Sequence, residues 1–531
     1  MPSRTSEETE GSAAPPRNLA RELLLGSGIY TVGILVGRLL GAYRDILVQK
    51  RFGPAIEQDA FLLAESIPRQ ASAQLTDLER SATVPVLGSL LAKGEADRAW
   101  RIQAWAIAFV GLGLILAGGA VALFPRPFAE LLAPHSYGEP ETALVAELLG
   151  TLVLTLIIEG IAGLATAGWL ARGKYALPGL AHIIPNAVVV AFLIYGGSTI
   201  TIQQYARGEV AGGAGFALAV LVPFAFAIRL TRRLGWPPPW EDLGHVLKFA
   251  APLAIPAILG PVAVSIQRAY TGSLEEGVLS CYRVAQVTVQ GPLGTIVAAM
   301  STVLLPVLAH QATRGRREYR ARVQEVLRLV LLIATPAVAL TALHAPALVR
   351  VLFERGAFDH SDTLLTSAIV RVLAWQMLLA AASGLYAQAY LAIQDSLMVS
   401  LVRVLGTLAS TVAYVSLFRW LGLNAIMGGE ILAPALSLAL FVAWAPRRLA
   451  GDRPGSLLGF LLALAGANGA MTLATLALPR VWPAPEPPAS LAANGAWLAA
   501  QIFVGLAVYA LCARLMMPSE WRAMSERIRR R

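Results

Sequence analysis

Arg38, Arg44 and Asp45, then Asp59, Arg69 and Arg80, place fixed charge inside the first two apolar stretches of this chain, and Arg268 and Arg283 do the same further on. A charged side chain at the centre of a membrane helix costs about 2.5 to 3.5 kcal/mol on an insertion scale, so positions that keep one mark a polar pocket or path. Arg38 and Asp45 are seven residues apart. At the helical repeat that puts them about 20° apart on one face, two turns from each other. Arg44 opens a second edge of that stripe. On the second stretch Arg69, Thr76 and Arg80 share a face, with Ser72 and Glu79 on the strip beside it. The guanidinium fork donates paired hydrogen bonds to phosphate oxygens and keeps its charge in a low-dielectric site. Such stripes suit an anionic pyrophosphate carried on an apolar tail. Asp45 and Asp59 read equally well as ion-pair partners of the arginines.

The elements that must hold these charges follow from composition. The chain has 531 residues, 56% hydrophobic and only 14% charged, with mean hydropathy +0.61, which makes it an all-α polytopic membrane protein. A span needs about 20 apolar residues. Stretches of that kind centre near residues 37, 73, 112, 156, 188, 219, 259, 295, 334, 378, 409, 434, 466 and 505, so about fourteen transmembrane helices are expected. Connections rich in Lys and Arg alternate along the chain: Lys93 to Arg101, Arg172 and Lys174, Arg229 to Lys248, Arg314 to Arg322, and Arg447 to Arg453. By the positive-inside rule they face the cytoplasm, which puts both termini there, including Arg529 to Arg531. The net charge of +10 thus lies between apolar segments rather than on a folded surface, and no nucleic-acid partner is expected.

Val84, Pro85, Val86 and Leu87 at the end of the second stretch are echoed by Leu305, Pro306, Val307 and Leu308 at the end of the eighth. That repeat divides the chain into a disordered cytoplasmic tail without a signal peptide (1–17), an N-terminal six-helix lobe (18–235), a C-terminal six-helix lobe (236–448), and a C-terminal helix pair with a basic tail (449–531). Transporters built from repeats hold substrate at the lobe interface. Enzymatic chemistry finds no support. Cys281 and Cys512 lie in apolar stretches without metal-ligand spacing, the six histidines are scattered, and no phosphate loop is present. No cofactor or metal is expected. Glu147, Glu159, Arg371, Arg403 and Glu430 are isolated and read as helix-end or structural charges.

With these residues in hand, the chain resembles the MurJ/MviN lipid II flippases of the MOP exporter superfamily over most of its length. Gly37 to Gly41, Arg44-Asp45, Phe52-Gly53 and Asp59 to Phe61 reproduce the family's opening pattern. Pro68 fits its PN motif, and Gly173 to Pro178 and Glu276-Gly277 with Ser280 also match. Leu352 to Phe358 with Asp362-Thr363 is the most specific run. The resemblance implies fourteen helices, two lobes around a cationic cavity, a groove with the last two helices for a polyprenyl tail, and alternating access. It further implies a bacterial inner-membrane protein of peptidoglycan synthesis and cell shape, with a polyprenyl-pyrophosphate-linked saccharide and membrane lipid as partners and cell-wall synthesis proteins as further candidates.

Departures from the family pattern fall in the cavity. Ser72 and Ala73 replace two arginines of the second helix, Arg69 replaces the Asn of its PN motif, and Val287 replaces an arginine of the eighth. Gln49 stands where a small residue is usual, and the DTRTP run is reduced to Asp395 to Val399. Arg69 precedes Ser72 by three residues and Arg283 precedes Val287 by four, so each sits on nearly the same face one turn earlier. The expected substrate set is Arg38, Arg44, Asp59, Arg69 and Arg283, supported by Asp45, Ser72, Arg80 and Arg268. The expected function is lipid II translocation to the external leaflet. An exopolysaccharide or O-antigen lipid-saccharide flippase and a transport-inactive scaffold of cell-wall synthesis are the alternatives.

Overall fold

A computed structural model of the chain describes residues 17–229, 232, 234–294, 316–393, 395–448, 454–482 and 491–522. The first half comprises α1 (Arg17–Phe52), α2 (Ile56–Ala92), α3 (Ala96–Leu123), α4 (Pro125–Leu132), α5 (Glu139–Ala171), α6 (Ala176–Ala181), α7 (Ile184–Gly196) and α8 (Ile202–Ile228). The second begins with α9 (Trp240–Gly272) and α10 (Val278–Val289), which widens into a π turn over Gln290–Gly294. It continues with α11 (Arg316–Leu343), α12 (Ala345–Phe353), α13 (His360–Ala392), α14 (Ser396–Leu421) and α15 (Leu423–Arg448). Two further helices follow, α16 (Pro454–Val481) and α17 (Leu491–Met516).

Apolar length explains why these segments are helices: in a bilayer every backbone polar group must be satisfied within the segment. Ten helical stretches among the described residues are long and apolar enough to cross a membrane, one of them formed by α6 and α7 together. Each expected span centre lies inside a described helix except the one near residue 295, which falls outside the described residues, as do Leu305 to Leu308. Pro85 does not end α2, which runs on to Ala92. Its length would span, yet α2 carries Glu57, Asp59, Glu65, Arg69, Asp77, Glu79 and Arg80, so its polar side chains need protein or water around them rather than lipid.

The buried apolar side chains form separate clusters. One runs through α1, α2, α4, α5, α7 and α8, and a second through α2, α3, α5, α6 and α8. A third and fourth join α10 to α15, and a fifth joins α11 to α16 and α17. The halves meet along α9, which packs against α2, and they also exchange side chains: Leu279 of α10 is buried in the first cluster, and Ile46 of α1 packs against the third. Between α8 and α9 the chain is pinned to the start of α3. Arg98 holds both oxygens of Asp242, with Nε 3.0 Å from Oδ2 and Nη2 2.6 Å from Oδ1, and Arg101 donates to the carbonyls of Gly235 and Pro237.

At one end of the molecule three loops meet backbone to backbone. Gly53 (φ +64°) ends α1, and a Cβ there would lie 2.6 Å from the Ala357 carbonyl oxygen. Gly277 (φ +82°) opens α10 against the Pro54 carbonyl, and Gly356 lies against that of Lys50. Both the left-handed φ and the close approach exclude a side chain at these positions.

Candidate functional site

A narrow cleft opens where α1, α2, α8 and α10 converge, lined among others by Arg44, Asp45, Gln49, Glu65, Arg69 and Arg283. Arg44 is buried on α1. Its Nη2 lies 2.8 Å from Asp45 Oδ1, and its Nη1 lies 3.1 Å from Glu209 Oε1 on α8. The Tyr205 hydroxyl also donates to that Glu209 oxygen, at 2.9 Å, and its ring lies 4.6 Å from the Phe61 ring, which packs Tyr205 against α2. Arg69 donates to Glu65, one turn earlier on α2. Arg283 approaches from the second half, its Nη2 3.7 Å from Asp45 Oδ2, so Asp45 bridges arginines of α1 and α10. Val287, one turn beyond Arg283, is also in the wall. Gln49 and Gln58 each have a buried side-chain oxygen without a hydrogen-bond partner among the described residues.

The cleft therefore gathers Arg44, Asp45, Arg69 and Arg283 from the expected set. Arg38 is exposed on α1 and is not among the residues lining it. Asp59 is buried, and the structure places it as a helix cap. Its Oδ2 accepts the Gly277 N–H at 2.9 Å, and its Oδ1 accepts the Ser280 N–H at 2.8 Å and the Ser280 hydroxyl at 2.5 Å. Glu276 returns the contact, its Oε1 accepting the N–H of Ile56 at the start of α2 at 3.0 Å. The two helix N-termini thus cap each other across the halves, where a carboxylate also meets the positive end of the helix dipole.

Arg268 is buried on α9 and donates to the Leu62 carbonyl, next to a Ser265–Ser66 hydroxyl contact of 3.1 Å. It binds α9 to α2 behind the cleft wall. Ser72 turns to α5, donating to Glu159 Oε2 at 2.9 Å. The side chain of Arg80 lies outside the described residues. Glu430 accepts the Tyr414 hydroxyl at 3.1 Å, in keeping with a structural role. Among the described residues no group of His, Cys, Asp and Glu could hold a metal ion.

Sequence reasoning missed Glu65, Glu209 and Tyr205. Glu65 had a local signal, its four-residue spacing from Arg69 on one helix. Glu209 had none, because 165 residues separate it from Arg44.

A protein-family model described as "Lipid II flippase MurJ" matches residues 48–494. The lipid II flippase MurJ of Burkholderia cenocepacia is 25% identical over 477 residues, covering 85% of this chain and 89% of that protein. The probable lipid II flippase MurJ of Bdellovibrio bacteriovorus is 25% identical over 468 residues, covering 85% and 88%. A solved structure titled "Lipid II flippase MurJ, inward closed conformation" superposes with a TM-score of 0.72 at 17% identity, covering 92% of this chain and 98% of its own. An inward-facing multidrug resistance MATE family transporter of the MOP superfamily gives 0.63 at 15% identity, covering 78% and 94%. At these identities the structural likeness establishes the fold alone.

Proposed function

The chain belongs to the MurJ lipid II flippase family, and from that membership and the cleft we propose that it moves lipid II from the cytoplasmic to the external leaflet by alternating access. The observation that carries the reading is the cleft itself, where Arg44 and Arg69 of the first half face Arg283 of the second. A pyrophosphate touching both halves is held by guanidinium forks from each, and the grip depends on how closely the halves approach. Translocation then follows from a difference in head-group affinity between two conformations, with no covalent step. Gln49 and Gln58 offer unpartnered oxygens to hydroxyl or amide donors of the saccharide.

In this reading the mutual caps of α2 and α10, with the glycine-lined loop junction, close the external side. They part when the cleft opens outward. Both termini lie in the cytoplasm, the two halves act as lobes, and α16 and α17 flank a path for the polyprenyl tail. Arg38 meets the head group on its way to the cleft. Neither the exopolysaccharide reading nor the scaffold reading is favoured by the family match or by the named relatives.

The test is rescue of a bacterium depleted of its own lipid II flippase, with externally exposed lipid II as readout. The chain is expected to restore both growth and exposure, and Arg283→Gln to restore neither. A folded, membrane-inserted chain that leaves external lipid II at the depleted level would overturn the reading.

A further inference from the structure

The cations that line the cleft are all held by carboxylates of the chain itself. Asp45 and Glu209 hold Arg44, Glu65 holds Arg69, and Asp45 also reaches Arg283. An anionic head group entering this space has to compete with those acids. The pair at Arg69 is the one built for exchange. The Arg69 side chain is 38% exposed, whereas that of Glu65 behind it is only 6% exposed, so an incoming phosphate reaches the arginine before the acid.

Among the described residues Glu65 has no other free cation to turn to. Arg44 and Asp45 of α1, Glu159 of α5, Tyr205 and Glu209 of α8, Arg268 of α9 and Arg283 of α10 all face its surroundings. Of these cations, Arg44 is committed to Asp45 and Glu209, Arg268 donates to the Leu62 carbonyl, and Arg283 leans on Asp45. A buried carboxylate stripped of its partner, beside a newly arrived anion, is strongly unfavourable while charged.

We propose that Glu65 is an exchangeable counter-ion: the pyrophosphate displaces it from Arg69, and Glu65 takes up one proton from the aqueous phase open to the cleft as it leaves the pair. When the head group departs, the proton is released and the Glu65–Arg69 pair closes again. Each head group is thereby accompanied by one proton. The inference rests on the pyrophosphate-lipid reading above and deepens it by naming the ion that binds with the cargo.

The experiment titrates lipid II into the full chain in lipid nanodiscs by calorimetry, in two buffers of different ionisation enthalpy, at several pH values. The wild-type chain is expected to take up about one proton per lipid bound, a count that depends on no variant. Glu65→Gln is expected to take up none, to bind at least tenfold more tightly near neutral pH, and to lose most of the pH dependence. Glu159→Gln, facing the same space without pairing Arg69, is expected to keep the count at one. Wild-type binding without proton uptake, or a count that survives Glu65→Gln, overturns the exchange while leaving the function intact. A count abolished by Glu159→Gln instead moves the proton to that residue and overturns the assignment to Glu65. Absence of any lipid II binding by the wild-type chain overturns the underlying function and the exchange with it.

Discussion

Asp59 on α2 accepts the main-chain N–H of Ser280 at 2.8 Å and its hydroxyl at 2.5 Å, joining the first turn of one helix to the start of another 221 residues away. Hydrogen bonds to a charged group contribute about 1.5 to 3 kcal/mol, twice a neutral one. Asp59→Asn keeps the volume but loses the charge, so the seam between α2 and α10 is expected to loosen. A cysteine placed at Ala55 should then label about tenfold faster from the external side. Ser280→Ala, which removes the hydroxyl alone, should give a smaller rise. Unchanged labelling in Asp59→Asn would show that the loop glycines alone keep that side shut.

Arg44 and Glu209 form a buried pair whose side chains are only 6% and 14% exposed. Removing one partner of such a pair costs about 3 to 5 kcal/mol, because the other charge is left uncompensated. Arg44→Gln is expected to lower the melting temperature in detergent and to abolish flipping. Adding Glu209→Gln should recover most of the stability and none of the transport. Recovery of both would remove Arg44 from the binding set.

Gly163 on α5 makes room for the Glu79 carboxylate. A Cβ at Gly163 would lie 2.5 Å from Glu79 Oε2 and 3.0 Å from Thr76 Oγ1. Gly163→Ala is expected to destabilise the protein by about 1 to 3 kcal/mol, the usual effect of overpacking. Glu79→Ala on the same background should restore much of the loss, since the clash is with a side chain and not with backbone. Additive losses in the double variant would argue against this contact as the cause.

Glu354 lies in the connection between α12 and α13, outside the membrane-spanning helices. Burial alone would raise its pKa, but hydrogen bonds from Thr363 and His360, together with the nearby Arg350, hold it below the ordinary 4.5. The Thr363 hydroxyl supplies the shortest of these, at 2.7 Å. A carboxylate with a depressed folded pKa adds stability above its unfolded value, and that contribution disappears as pH falls through the folded value. Stability is therefore expected to decline as the pH drops below the ordinary glutamate range. Thr363→Val should flatten the decline, as read by thermal unfolding between pH 3 and about 6.

How much of this was legible in the sequence depends on range. Helix positions followed from apolar length, because a bilayer leaves the backbone no alternative, and the centres near 112, 156 and 219 fall well inside α3, α5 and α8. Arg44, Asp45, Arg69 and Arg283 stood out because charge in an apolar stretch is rare, and the cleft gathers all four. Asp59 carried the same signal, yet its partners begin 218 residues on, so no spacing could reveal a cap rather than a ligand. The acids were harder to see. Attention to cations passed over Glu65 despite its helical spacing from Arg69, and Glu209 becomes visible only once α8 packs beside α1 and α2.

The π turn at Gln290–Gly294 gives α10 a mechanical character of its own. The segment from Val278 to Val289 is regular and stiff, whereas the wider turn beyond it has a looser hydrogen-bond ladder and yields to bending. Arg283 sits seven residues before that joint, a lever arm of about 10 Å. A tilt of about 10° at the joint swings the backbone under Arg283 by roughly 2 Å on that arm. The ion pair with Asp45 spans 3.7 Å, so a displacement of that size is enough to make or break it. Engagement between the halves is then tuned by flexing one helix, with no need for a side chain to change rotamer.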